Sequence, residues 1–296
     1  MRRRERGTAL LLVLWATILL AALLVGVAAA SRSHGEAALY GAERVRAELA
    51  AEAGLAHAVA GLRAPDQQHQ WVPDGRPYTF EFDGARVTVA VVDVSGLVDL
   101  NATAPEMLRG LFQAAGADAS TASRMADTVV AWRGGAEGTR FGSQPFAGGA
   151  PNGGGGPAFG GPFRTIDQLA RLPGMDAALF DRIERAVTVF SGRNFPDASY
   201  AGALVLASLR GIDVRQATAL VEGRRNQSAQ RGAGNGDAFG AVANGPLVAG
   251  YGGVVDRVFS VAEMPDGTRV GVDATIRLAL TGTRTHPYKV LDWRAD

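Results

Sequence analysis

The side chains that could do chemistry in this 296-residue chain are few and scattered. There are four histidines, His34, His57, His69 and His286, and no cysteine. The histidines show no metal-ligand spacing, and without thiols there is neither a disulfide framework nor a thiolate metal site. Ser95-Gly96 and Phe190-Ser191-Gly192 are not nucleophile elbows, because G-x-S-x-G is absent. The glycine tracts, including Gly153-Gly154-Gly155-Gly156, lack the P-loop lysine and do not lie between a strand and a helix. No titratable cluster converges along the chain. No catalytic, cofactor-binding or metal-ligating residue is therefore assigned, and the chain is not expected to be an enzyme.

Charge points the same way. The formal net charge is +1, which leaves no electrostatic footprint for nucleic acid. The positive excess sits at the extreme N-terminus, where Arg2, Arg3, Arg4 and Arg6 face only Glu5. The rest is slightly acidic, and Lys289 is the only lysine.

The elements that carry these residues begin with a long helix. No charged side chain occurs from Gly7 to Ser31. Thr8 to Ala30 is about 23 residues, roughly 35 Å as a helix, enough to cross a bilayer with some tilt. The basic flank before it predicts a cytoplasmic N-terminus and an exported body. Ala28-Ala29-Ala30 has the small residues of a signal-peptide cleavage site, but the apolar run exceeds the usual length of a signal h-region. Beyond it, Ala38, Ala42, Val45, Leu49, Ala53, Ala56 and Val59 recur at steps of three and four. The helix is thus expected to continue to about Leu62, apolar all round first and then amphipathic.

Residues 63–77 carry Pro65, Pro73, Gly75 and Pro77 and read as a loop. Tyr78 to Phe82, Asp83-Gly84 and Ala85 to Val94 predict a β-hairpin. Residues 97–225 are helical in pattern and contain an echo. Asn101-Ala102-Thr103 with Leu108 resembles Asp197-Ala198-Ser199 with Leu204, and Gly116-Ala117-Asp118 resembles Gly211-Ile212-Asp213. In both units an Asn or Asp, then Ala and a hydroxyl residue (Asn101-Ala102-Thr103 and Asp197-Ala198-Ser199), are placed to cap a helix, and Pro105 fits a first turn. A further helix pair surrounds Leu172-Pro173-Gly174-Met175. Pro173-Gly174 resembles a helix-hairpin-helix turn, which can hold DNA phosphates on backbone N–H groups. Its flanks mix Asp167, Asp176 and Asp181 with Arg164, Arg171 and Arg182, so structural helix pairing is the preferred reading. Residues 134–162 and 226–250 are glycine-rich and read as flexible. Strand signals return in Val254 to Ala262, a Pro265-Asp266-Gly267 turn, Thr268 to Leu280, and Tyr288 to Trp293.

A helix that is half membrane span and half packing surface resembles a type IV pilin subunit. The basic leader ending at Gly7 resembles a prepilin peptidase site between Gly7 and Thr8. Pilins usually carry Glu at the fifth mature position, and here that position is Leu12. That departure is shared by protein K of the general secretion pathway. Val98 to Pro105, Ile166 to Leu169, Leu172 to Met175 and Pro287 to Arg294 resemble that family in order and spacing.

The resemblance implies an α+β fold: a long N-terminal helix packed on a small antiparallel sheet, with a large mainly α-helical domain inserted in the sheet. The expected organisation is a leader (1–7), a transmembrane segment (8–30), the pilin-like helix and first hairpin (31–96), the inserted helical domain (97–225), a linker (226–253) and the closing strands (254–296). The implied role is that of a minor pseudopilin of type II secretion, at the pseudopilus tip, starting assembly and helping export folded proteins. The implied location is the inner membrane, single pass, with a periplasmic body, leader removal and methylation. The implied partners are the other minor pseudopilins, the major pseudopilin, prepilin peptidase and membrane lipid, with no nucleic acid. A membrane-anchored helix-hairpin-helix protein that binds DNA is the alternative. Family members often bind calcium after a Trp-containing helix. Here that helix is expected to end at Ala131-Trp132-Arg133, and the next loop offers only Glu137 before Asp167. One carboxylate with carbonyls would make a weak calcium site.

Overall fold

The structure is a computed structural model and describes residues 5–66, 69–138, 160–209, 212–231, 255–279 and 287–295. Helix α1 (Glu5–Leu62) is continuous, as its alanine- and leucine-rich sequence favours. Its side chains are described for 11–24 and from 41 onward. Those of 11–24 are all exposed, Leu12 at 71% and Trp15 at 63% among them. From Ala47 the helix buries one face through Ala50, Ala51, Leu55, Ala58, Val59 and Leu62. Burying each large aliphatic here contributes about 1.5–3 kcal/mol.

That face lies on a five-stranded antiparallel sheet of order β1-β2-β5-β6-β7. Its strands are β1 (Asp74–Phe82), β2 (Ala85–Asp93), β5 (Val255–Glu263), β6 (Arg269–Leu278) and β7 (Tyr288–Ala295). Asp83 (φ +46°) and Gly84 (φ +80°) turn β1 into β2, the positive φ pair that matches strand twist. Gly54 lets α1 settle on the sheet: a Cβ there would lie 2.0 Å from Ser260 Oγ and 3.0 Å from Val89 Cγ2. The loop expected over 63–77 is shorter than its prolines suggest, because β1 already begins at Asp74 and contains Pro77. β1 is an edge strand with a register shift between Asp74 and Pro77, and an edge can accommodate a residue without N–H.

The chain leaves this sheet after Asp93 and returns at Val255. Between them lie a 3-10 turn (Val94–Gly96), α2 (Pro105–Ala114), α3 (Ala119–Gly138), α4 (Asp167–Ala170), α5 (Ala177–Ile183), α6 (Ala203–Ala207) and α7 (Val214–Arg231). This block has its own core of Leu100, Leu108, Leu111, Phe112, Leu169, Ile183 and neighbours. It is not purely helical: β3 (Val98–Asp99) pairs in parallel with β4 (Val187–Thr188), which the helical pattern had concealed.

The helix starts differ from expectation. Asn101 does not cap α2, whose N-cap is Ala104 with Pro105 in the first turn. Its amide instead clamps Phe163, accepting from the backbone N at 2.7 Å and donating to the carbonyl at 2.9 Å. Asp197 likewise closes a local turn by accepting from Ser199 N. The caps are Asp118 and Asp213, the acids of the second echo. The hydroxyls of Ser120 and Thr121 donate to the Asp118 carboxylate at 2.6 Å each, the backbone N–H groups of the same two residues donate to its Oδ1, and these bonds, the hydroxyls' first, hold its carboxyl well below the usual range. Asp213 accepts from Gln216 N while Gln216 Oε1 accepts from Asp213 N, a reciprocal box.

The echo extends to two arginines. Arg133 on α3 donates to the carbonyls of Leu100 and Thr103. Arg224 on α7 donates to those of Ala198 and Ala201. In each unit the second helix is tied to the turn that precedes the first. Burial lowers both guanidinium pKa values, opposed by Asp99 at Arg133 and by Asp74 at Arg224. α3 also runs on to Gly138, past the stop expected at Arg133. The Arg133 anchor, and Gly161 N donating to Trp132 O at 2.8 Å, hold the end of the helix. They offset the roughly 1 kcal/mol that each glycine costs there. α7 similarly continues to Arg231, into the segment expected to be a linker.

Candidate assembly surface and the junction of sheet and helices

Gly7 and Thr8 lie in the first turns of α1. The segment 8–30 is helical throughout, yet among the described residues no helix is long and apolar enough to cross a membrane. His57 stacks on Phe80 (4.4 Å between centroids) and meets Trp71 edge-on at 5.4 Å, filling the β1 side of α1. His69 pairs with Asp66 at 2.7 Å on the surface. The side chain of His34 and all of His286 lie outside the described residues.

The expected calcium loop Gly134 to Glu137 is the end of α3. The next acid, Asp167, is engaged by Arg294 at 3.3 Å. Among the described residues no three His, Asp or Glu side chains gather to hold a metal. The Pro173-Gly174 turn has Gly174 at φ +85°, and the apolar side chains around it, Leu169, Leu172, Leu179 and Ile183, are core. The turn thus serves helix packing within the block.

Three features that sequence reasoning missed lie at the junction of block and sheet. The first centres on Arg257 of β5, which is 1% exposed. Its guanidinium grips Asp273 of β6 with both ends, at 2.9 and 2.6 Å, and donates to the Glu184 carbonyl at 2.8 Å. It also lies over the Phe259 ring, with Arg185 above the same ring. Arg294 of β7 shares Asp273 at 2.7 Å and reaches Asp167 of α4. The signal in the sequence is slight: an arginine beside Asp256 and ahead of the apolar Val258, Phe259 and Val261 of the same strand. The second is the pairing of Asp93 with Asp256, opposite each other on β2 and β5, 1% and 3% exposed. A third tie runs from α7, where Arg225 donates to the Asp74 carbonyl at 3.0 Å, while Asp74 itself holds Arg76 at 2.7 Å.

Among the described residues outside the junction, five large apolar side chains stand exposed on the helix-and-sheet body: Val45 and Leu49 on α1, Phe82 at the end of β1, and Val290 and Trp293 on the edge strand β7. Val290 and Trp293 are register partners of Ile276 and Ala274 on the α1 side of the sheet. Together with α1 residues 11–24 they form the candidate assembly surface.

These features define a mixed helix and antiparallel-sheet protein whose sheet is interrupted by a folded block. Residues 90–192, from the second half of β2 to just past β4, match the family described as type II secretion system (T2SS), protein K. That match spans about a third of the chain and agrees with the resemblance to protein K read from its sequence. The fold is similar to a chain in the crystal structure of the GspK-GspI-GspJ complex from the enterotoxigenic Escherichia coli type 2 secretion system. The TM-score is 0.53 at 16% identity, covering 86% of this chain and 98% of that one. No curated protein matches.

Proposed function

We propose that the chain is a minor pseudopilin of a type II secretion system, held in the inner membrane by residues 8–30, with the rest of the chain in the periplasm. The observation that carries this reading is α1 itself: one helix whose second half packs on the sheet while residues 11–24 project every side chain outward. A surface of Leu, Val, Ile and Trp is stable in lipid or against other apolar helices and costly in water. Leader removal between Gly7 and Thr8 frees the mature amine.

The position in the fibre follows from Leu12. A carboxylate in hydrocarbon needs a partner, and in pilins that partner is a neighbour's N-terminal amine. With Leu12 this helix offers no such carboxylate to a subunit above, while its own Thr8 amine still meets the Glu of a subunit below. The block between β2 and β5 adds bulk against further stacking. The subunit therefore caps the fibre, joining other minor pseudopilins to start assembly and help drive export. No catalytic step is assigned to it. Labelling this subunit, counting copies per pseudopilus and locating them by microscopy tests the reading. One or a few copies at one end is the expected result, and copies repeated along the shaft would refute it.

A further inference from the structure

Among the described residues the sheet has two edge strands, β1 and β7, and they are built differently. β1 is blunted at its start. Pro77 has no N–H to donate, the register shifts between Asp74 and Pro77, and the Asp74 carbonyl is taken by Arg225 of α7. β7 holds no proline within Tyr288–Ala295. Among the described residues no strand takes the N–H and C=O groups of its outer side. Its register shift falls opposite Thr275 and Ile276, so the run from Tyr288 to Val290 is regular. Such a run is a template for one more strand.

The two faces of β7 carry different chemistry. On the α1 side stand Tyr288, Val290 and Trp293, partners of Leu278, Ile276 and Ala274. Val290 and Trp293 are 39% and 40% exposed, because α1 rests on β2, β5 and β6 and stops short of β7. On the other side Lys289 is the register partner of Arg277, and both are exposed. Directly opposed like charges destabilise a strand pair. The carboxylates on this side are held by other arginines: Asp273 by Arg257 and Arg294, and Asp167 by Arg294. Among the described residues neither Lys289 nor Arg277 forms an ion pair.

We propose that β7 is a docking edge for a β-strand of a different protein, one that carries an acidic residue between two apolar ones. An added strand continues the alternation of the sheet, so its residue beside Lys289 lies on the cationic face. The residues before and after it fall on the α1 side, next to Tyr288 and Val290. Main-chain hydrogen bonds supply the affinity of such a docking and the alternate side chains its specificity. Lysine on an edge strand discourages pairing in general. Here Lys289 beside Arg277 rejects strands without an acid and admits one that has it. A second copy is the poorer occupant. Its β1 does offer Phe80-Glu81-Phe82, but that strand is blunted at Pro77, and copies joined β7 to β1 run on into an open array. The proposal concerns the sheet alone and does not depend on where residues 8–30 reside.

The test uses the full chain in detergent micelles and short capped peptides of alternating valine and threonine. One peptide has an aspartate between two valines, and a second has a lysine in its place. Hydrogen exchange followed by NMR reads where each binds. The aspartate peptide should slow exchange in β7, from Tyr288 to Trp293, and leave Thr79 to Phe82 of β1 unchanged. It should bind more weakly as salt rises, since the paired charges are exposed. Lys289→Glu faces Arg277 with an opposite charge, so the variant keeps its fold. Its affinity for the aspartate peptide should fall about five- to tenfold, and the lysine peptide should become the better ligand. No protection of β7 by the aspartate peptide, equal binding of both peptides, or an unchanged preference in Lys289→Glu would each overturn the proposal. So would self-association of the wild-type chain in sedimentation that Lys289→Glu abolishes, because the edge would then belong to a second copy.

Discussion

Arg257→Met asks how firmly the helical block is bound to the sheet. The guanidinium makes two charge-assisted bonds to Asp273 and one to the Glu184 carbonyl, in a site only 1% exposed. Removing one partner of a buried ion pair costs about 3–5 kcal/mol, chiefly because the other charge is stranded. Here the stranding is incomplete, since Arg294 still holds Asp273 at 2.7 Å. The Glu184 carbonyl adds about 1 kcal/mol as an acceptor left without this donor. The expected loss is about 3 kcal/mol, a large part of the roughly 5–15 kcal/mol that folded proteins possess. Each kcal/mol moves Tm by roughly 2–4 °C in a chain of 150–250 residues, so Arg257→Met should melt about 10 °C lower. Circular dichroism and differential scanning fluorimetry of the purified chain would read it. The double variant Arg257→Met, Asp273→Leu should recover more than half of the loss, because it removes the stranded charge as well. A single-variant shift under about 2 °C would refute the claim that this arginine ties the block to the sheet.

Other changes should act locally. Gly110→Ala puts a Cβ 2.0 Å from the Ser208 carbonyl, so α2 and α6 must part; a loss of roughly 1–3 kcal/mol in urea unfolding is expected. Calcium should raise Tm only slightly, because the Gly134 to Glu137 segment is helical; a site occupied at a hundredfold excess would add about 2.7 kcal/mol, and a large chelator-sensitive shift at micromolar calcium would contradict this. Leu12→Glu should not improve assembly and should impair insertion, read as secretion of a reporter and as membrane-fractionated protein, because the new carboxylate lacks a partner.

What could be read from the sequence was what local chemistry dictates. Asp83-Gly84 and Asp266-Gly267 announced both hairpins because few other residues accept their backbone angles. The end of α1 near Leu62 followed from the sequence, but its packing face did not: of Ala42, Val45, Leu49, Ala53, Ala56 and Val59 only Val59 is buried, and the buried face runs instead through Ala47, Ala50, Ala51, Leu55 and Ala58, because alanines without apolar bulk of their own gave the spacing little to choose by. Asp118 and Asp213 belong to the echo in the sequence, yet the capping expected of Asn101 and Asp197 falls to them, since all four have cap chemistry. Tertiary contacts decided among them, Phe163 taking Asn101. Arg257, Arg133 and Arg224 were invisible because their partners are carbonyls and carboxylates far along the chain. The facing of Asp93 and Asp256 depends on strand register across the whole helical block, which no local pattern encodes.

The most direct test of the pseudopilin account is the mature N-terminus of the protein purified from its own membranes, read by mass spectrometry. A chain beginning at Thr8 is the expected result, with a methylated amine if processing is complete. A chain beginning after Ala30, or one that retains residues 1–7, would contradict the account.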